Sequence, residues 1–371
     1  MKVAFCNRPN YDHPFGGDAV QMLKTKEYLE KKYSIKIDII TNPDNITNEY
    51  DIVHVFNFLT YKISKQFIIK AKELKIKVVS SPIFWDYSYA AAYHINSVIG
   101  YPDFISEKKI MRQQLLVKAI GSVLPKPTAL SFLFRRSAQW MFDNSDIVLP
   151  NSYEESELLL KWVKREKEGD KIRIVVNATV IDSKSEKEQK YTGNSFHAKY
   201  AIPHNYILQV GRIEHCKNQL NLISALLDVP EIPIVFVGQI NERKYYKKTQ
   251  RLATTRGNVF FIEAVSHDEI KYFYRYANLH VLLSLRESPG LVNIEALANN
   301  CPIVISDSRF IPIKTYFPHQ PYIVNPFDKQ KIKETILLAY KERCVGLFEA
   351  DKFTWEVVAK QTFDAYQLIE V

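Results

Sequence analysis

The chain has 371 residues, 46% of them hydrophobic and 25% charged, more than one hydrophobic core usually organises, so two domains of ordinary globular composition are expected. That composition excludes a disordered chain, and no run approaches the roughly 20 apolar residues that span a bilayer. The net charge of +9, with the larger excess in the first half, suits nucleic acid, an anionic membrane face or phosphorylated small molecules, and charge alone does not separate them.

In chain order, residues 2–6 read as a strand rather than a signal peptide, which predicts a cytoplasmic protein. Further strand patterns at 35–40, 51–55, 76–81, 146–149 and 172–176 alternate with helical patterns near 18–33, 60–74, 105–120, 129–142 and 153–165. The polar segment 183–200 has neither period and reads as a linker. A second series follows, with strands at 206–210, 233–237, 257–262, 279–284 and 302–305 and helices near 217–228, 242–255, 267–277, 291–300 and 328–341. The end, from Phe353, patterns as one amphipathic helix.

This alternation predicts an α/β protein with two Rossmann-like domains facing across a cleft, at 1–182 and 183–352, and a closing helix at 353–371 that packs toward the first domain. Chemistry then belongs on strand-to-helix loops. Cys6, Cys216, Cys301 and Cys344 show no C-x-x-C spacing and read as reduced thiols. The nine histidines, His13 among them, show no ligand spacing, so no metal site is assigned.

The most informative segment is 281–307, a strand, a loop with Glu287, a helix with Glu295, then another strand. Ser288 is a candidate N-cap, Pro289 a candidate first helical residue, and Gly290 lets backbone approach a ligand. Free amides of Gly290, Leu291 and Val292 can then hold a phosphate. Residues 206–226 read as a strand, a loop at Gly211-Arg212 and a helix from Lys217. Arg212 offers a fork of donors and Lys217 a compact charge, a pair suited to a diphosphate, although a solvated basic loop has the same composition.

Together these segments resemble the retaining glycosyltransferases of family four, the glycosyl transferases group 1, with the GT-B fold. The resemblance is strongest over 206–307. It implies that Arg212 and Lys217 clasp the donor diphosphate, that Glu287 sits by the donor sugar and that Glu295 binds the ribose hydroxyls. It also places Gly238, after Phe236-Val237, near the nucleotide, with a base pocket toward Glu263 to Ser266, and the pair Gly16-Gly17 near the donor phosphate and acceptor. Residues 146–152 match the family's strand and serine-capped helix before the linker. Where many relatives carry His-Asp after the fourth strand, this chain has Trp85-Asp86, which leaves Asp86 as the acceptor-side base or no side-chain base at all. The family's Asn-Gly near the end of the first domain is here Asn177-Ala178.

No Asp-x-Asp pair occurs, so protein cations are expected to replace a metal clamp on the diphosphate, with a nucleoside-diphosphate sugar as donor substrate and no cofactor. The implied partners are that donor and a glycan or lipid-linked glycan acceptor. The basic, apolar segment 104–142, with Lys108, Lys109 and Arg112, is a candidate for an anionic membrane surface at the inner face of the plasma membrane. Nucleic acid is not expected, because the basic residues form no single block. A non-catalytic sugar-nucleotide-binding subunit and a sugar-nucleotide epimerase on the same fold remain the rival readings.

Overall fold

The computed structural model describes residues 1–11, 17–120, 132–165, 169–180 and 191–369. Strand β1 (Lys2–Cys6) leads to α1 (Gly17–Tyr33), β2 (Lys36–Ile40), β3 (Ile52–Phe56), α2 (Tyr61–Glu73) and β4 (Lys77–Ser81). Then come α3 (Ser88–His94), α4 (Asn96–Ile99), α5 (Glu107–Ile120), α6 (Phe132–Asn144), β5 (Ile147–Val148), α7 (Tyr153–Val163) and α8 (Gly193–Tyr200). The second series runs β6 (Ile207–Val210), α9 (Gln219–Ala225), β7 (Ile234–Val237), α10 (Arg243–Arg256), β8 (Val259–Ile262) and α11 (His267–Tyr276). It continues through β9 (Leu279–Leu282), α12 (Leu291–Ala298), β10 (Ile303–Ser306), α13 (Ile313–Tyr316), β11 (Ile323–Val324), α14 (Lys329–Glu342) and α15 (Trp355–Gln367).

Two units emerge. The first comprises Met1–Asp86, Ile120–Thr179 and Asp351–Val371. Its parallel sheet has the order β2-β1-β3-β4-β5. Val3 to Cys6 and Ile52 to Phe56 are buried without a break, as expected of parallel strands covered on both faces. Helix α15 packs on α1, where the Tyr33 and Phe363 rings stack at 4.2 Å. The strand expected at 172–176 is instead a single bridge from Ile172 to Val148. A side chain of α15 intervenes, since Gln361 Oε1 accepts the Val176 amide at 2.9 Å.

The second unit comprises Tyr87–Ala119 and Val180–Ala350. Its parallel sheet has the order β11-β10-β9-β6-β7-β8. The chain therefore builds outward from β6 through β8 and then returns to the other side of β6, making a topological switch between β6 and β9. Ligands of open α/β sheets bind beyond the carboxyl ends of strands at such a switch.

Residues 87–119, which the alternation along the chain puts with the first series, pack here. Tyr93, Tyr101 and Ile105 share a core with Leu220 and Tyr245, and Ile105 donates its amide to Asn221 Oδ1 at 2.8 Å. Helix α8 likewise lies where a linker was expected. Thr192 and Ser195 form its capping box, and Phe196 is fully buried, so a short helix with one apolar anchor escaped the periodicity. Gly16, His13 and residues 183–190 fall outside the described residues.

Candidate active site

Beyond β6 the chain turns at Gly211, whose amide donates to Val237 O at 2.9 Å. The neighbouring loop after β7 passes close by at Gly238, which has φ +149°. A Cβ there would lie 2.3 Å from the Gly211 carbonyl oxygen, a contact that only glycine avoids. Gly238 therefore shapes the loop that carries Arg212. The Arg212 guanidinium pairs with Glu214 at 3.1 Å and remains 41% exposed, available to an incoming anion.

Residues His215–Lys217 form a tight 3-10 turn before α9. Two buried glutamines hold it: Gln209 donates to Lys217 O at 2.8 Å and Gln219 to Arg212 O at 2.9 Å. Sequence reasoning missed both, though a glutamine inside the apolar run of β6 is a visible signal of a buried polar duty.

Glu287 lies on the loop after β9, the other side of the switch. Its amide donates to Phe310 O at 2.7 Å, and Leu285 nearby donates to Cys216 O at 2.9 Å. The two loops meet through their side chains, with Lys217 Nζ 2.5 Å from Glu287 Oε1. Glu287 is 8% exposed. A carboxylate desolvated to this degree needs a paired cation, and Lys217, its side chain 15% exposed, supplies it.

The expected helix start needs correction. Ser288 is not the N-cap and Pro289 is not the first helical residue; Gly290 caps α12, with φ +88° and ψ +69°. Those left-handed dihedrals cannot belong to a right-handed helix, so helical geometry begins at Leu291. The Leu291 and Val292 amides are thus the first of the helix and carry no intrahelical partner. A Cβ on Gly290 would come 3.1 Å from Asn293 Nδ2 and 3.2 Å from Glu287 Cγ.

Glu295, half-buried in α12, accepts the hydroxyl of buried Tyr274 at 3.0 Å. Behind Lys217, His280 on β9 accepts the Val210 amide at 3.3 Å. Burial, and then the positive Lys217, push this imidazole down to about 3, against the opposite pull of the Asn293 amide. It is neutral near pH 7 and packs rather than shuttles protons. Glu263 to Ser266 follow the edge strand β8, with Ser266 capping α11.

In the first unit Gly17 opens α1, and Asp18 beside it pairs with Arg8 at 3.6 Å and accepts from Asn57 Nδ2 at 3.4 Å. These residues gather at the switch between β1 and β3. Asp86 is half-buried on the loop after β4, next to the buried Trp85. That loop is held by Glu155, which accepts the Phe84 amide at 2.5 Å and the Asn151 amide at 2.7 Å. Ser152 caps α7 through the Glu155 amide.

Comparison with known proteins follows the same lines. Residues 194–350 match the glycosyl transferases group 1 family. The O-antigen chain mannosyltransferase B of Escherichia coli is 25% identical over 177 residues, 44% of this chain and 46% of its own length. The serotype-specific mannosyltransferase WbdA of Escherichia coli is 22% identical over 320 residues, 80% of this chain and 38% of its own length. The matches thus span less than half the length of these curated relatives. The solved structure of Anabaena Alr3699/HepE in complex with UDP and glucose superposes at 14% identity with a TM-score of 0.73, covering 100% of both chains. Its likeness gives the GT-B fold. The match to the glycosyl transferases group 1 family lies over residues 194–350, the part of the chain that builds the β6 to β11 sheet.

Proposed function

We propose that the protein moves a glycosyl group from a nucleoside-diphosphate sugar to an acceptor hydroxyl, with retention at the anomeric carbon. The observation that carries this reading is the Lys217–Glu287 pair, which joins the loops after β6 and β9 at the switch point. Arg212 and Lys217 bind the diphosphate. Glu287 orients the donor sugar, Glu295 holds the ribose from its seat on Tyr274, and the amides of Gly290, Leu291 and Val292 add donors to the phosphate. Gly238 lets the β7 loop lie close to the nucleotide, and Gly16 and Gly17 bring the first loop toward donor and acceptor.

The bond from the anomeric carbon to the phosphate oxygen breaks with its electron pair on the diphosphate. The acceptor oxygen bonds to the same face of the sugar, and Asp86 takes its proton. Charge thus grows on the diphosphate, where two protein cations stabilise it more in the transition state than in the ground state. In this reading those cations stand where a metal clamp would otherwise be needed. The UDP bound by the Anabaena neighbour supports a uridine nucleotide as the first donor to try, and the mannosyltransferase relatives support a polysaccharide or lipid-linked glycan as acceptor.

No helix among the described residues is long and apolar enough to cross a membrane. On α5, however, Lys108, Lys109 and Arg112 are exposed beside Met111, Leu115 and Leu116, each more than half exposed. That combination supports contact with an anionic lipid face. Binding to anionic vesicles should weaken with salt and with charge reversal at the three basic residues, whereas equal binding to neutral vesicles would remove the membrane from the account.

The test of the enzyme itself is transfer or slow donor hydrolysis by the purified protein, screened across UDP, GDP, ADP and dTDP sugars. A ligand at 100 times its dissociation constant adds about 2.7 kcal/mol of stability, so a thermal-shift screen finds the base first. Binding without transfer or hydrolysis would favour a sugar-nucleotide-binding subunit. Isomerisation of donor without acceptor would favour an epimerase.

A further inference from the structure

Within the second unit the fold gathers three side chains that no spacing along the chain announces. His94 ends α3, His215 stands in the 3-10 turn before α9, and Glu242 caps α10. One ligand atom of each lies within 4.8 Å of the others. The sequence reading assigns no metal site because it finds no ligand motif among the histidines; these three come from separate elements and meet only in the folded unit.

Their surroundings resemble a prepared site. His215 is 4% exposed; its Nδ1 lies 2.5 Å from Glu242 Oε1. Its Nε2 is buried with no hydrogen-bond partner among the described residues. The other Glu242 oxygen accepts the Tyr101 hydroxyl at 3.1 Å, so both carboxylate oxygens are engaged, and the Glu242 amide donates to Ile213 O at 3.2 Å, fixing the backbone beneath them. His94 lies at the solvent edge, its ring 4.9 Å from that of His215, and it can close on an ion by rotating.

We propose that His94, His215 and Glu242 bind a divalent transition-metal ion of the zinc class, leaving one coordination position open to solvent. Two imidazoles and one carboxylate suit zinc, cobalt or nickel rather than magnesium or calcium, which take oxygen ligands. The ion would fasten α3 to the turn that presents Lys217, two residues beyond His215, and so would stiffen the loop after β6 without touching the diphosphate.

The experiment uses the full chain stripped with chelator and titrated with Co²⁺ as a spectroscopic probe. The expected result is visible ligand-field absorption that saturates at a single equivalent and is displaced by Zn²⁺. His94→Ala should weaken binding by at least about 100-fold, the upper range seen when mere supporting groups of a metal site are lost. Because His94 is exposed, the metal-free melting temperature should not move, which separates lost coordination from lost folding. His197 and His204, whose rings lie 3.8 Å apart, form the rival pair, and His204→Ala should leave the titration unchanged. Absence of saturable binding in the parent protein overturns the proposal, as does binding that His204→Ala abolishes and His94→Ala spares.

Discussion

His54 Nδ1 lies 2.7 Å from the hydroxyl of Tyr366, across 312 residues of chain. The imidazole is completed by Ser81 Oγ, 2.8 Å from Nε2. The contact fastens α15 to the centre of the first sheet. Removing the hydroxyl leaves a buried ring nitrogen without its partner, so Tyr366→Phe should cost about 1–3 kcal/mol despite nearly unchanged volume. Denaturant titration of the full chain measures it, and an unchanged midpoint would mean the helix is held by packing alone.

Burial drives His54 down to about 3, as it does His280. Both rings are neutral in the folded chain and would charge in the unfolded chain below an ordinary value near 6.5. Between those limits the unfolded state binds more protons, so stability rises with pH, by about 1.4 kcal/mol per unit for each group. Stability should therefore fall as pH drops through 6 toward 3, and His54→Asn or His280→Asn should each flatten that slope. A parent protein equally stable at pH 4.5 and 6.5 would contradict both assignments.

Glu155 carries the opposite sign. Burial pushes its carboxyl up to about 8, against the two amides of Asn151 and Phe84 that favour the charged form. A raised acid binds its proton more tightly when folded, so this contribution is fully present below the unfolded value near 4.5 and is lost as pH rises through about 8. Glu155→Gln keeps the shape but offers one acceptor oxygen to two N–H donors. It should cost about 1–3 kcal/mol and abolish the group's share of the pH dependence. A variant as stable as the parent would show that the loop bearing Asp86 does not depend on this clamp.

Gly238→Ala tests the approach of the β7 loop to the β6 loop. The added methyl meets the Gly211 carbonyl at 2.3 Å, a backbone atom that cannot swing away, and φ of +149° is strained for any other residue. A loss of at least about 1–3 kcal/mol is expected, with weaker donor binding because Arg212 follows Gly211. Gly257→Ala, where a methyl would meet nothing within 4 Å, serves as the control for backbone strain at positive φ without the clash. Equal effects at the two positions would show that strain, not crowding, sets the cost.

Much of this was legible in the chain, because parallel strands buried on both faces are long apolar runs and their helices are amphipathic. Lys217 and Glu287, expected on the loops after β6 and β9, are brought together there, and the roles proposed for them and for Arg212 and Glu295 limit which residue types could serve. Other features depend on partners distant in sequence. Tyr93, Tyr101 and Ile105 look like any apolar segment of the first series, yet they pack against Leu220 and Tyr245. The start of α12 was misplaced because Ser288-Pro289 carries a strong helix-start signature, while the left-handed turn at Gly290 overrides it. Glu155 reads as an ordinary first-turn glutamate until its two amide donors are seen.

The proposed division of labour among Glu295, Lys217 and Glu287 predicts two different kinetic defects within one unit. Glu295 would bind the ribose equally in ground and transition states, so Glu295→Ala should mainly raise the donor KM, by roughly tenfold for a loss near 1.5 kcal/mol. Tyr274→Phe removes the hydroxyl 3.0 Å from Glu295 Oε2 and should move KM the same way by a smaller factor. In the proposed reaction Lys217 would face charge that grows as the glycosidic bond breaks, so Lys217→Ala should chiefly lower kcat, by about 100-fold if some 2.7 kcal/mol of leaving-group stabilisation is lost. It also strips Glu287 of its cation, which leaves a nearly buried carboxylate unpaired with Lys217 where the donor is proposed to bind. The double variant Lys217→Ala, Glu287→Gln separates these effects: if the orphaned carboxylate repels the diphosphate, neutralising it should recover donor affinity but not kcat. Steady-state transfer at saturating acceptor, with direct donor binding to the same proteins, decides the matter. Should Lys217→Ala weaken ground-state binding while kcat stays intact, and should the second substitution change nothing, Lys217 is a donor anchor and takes no part in stabilising the departing diphosphate.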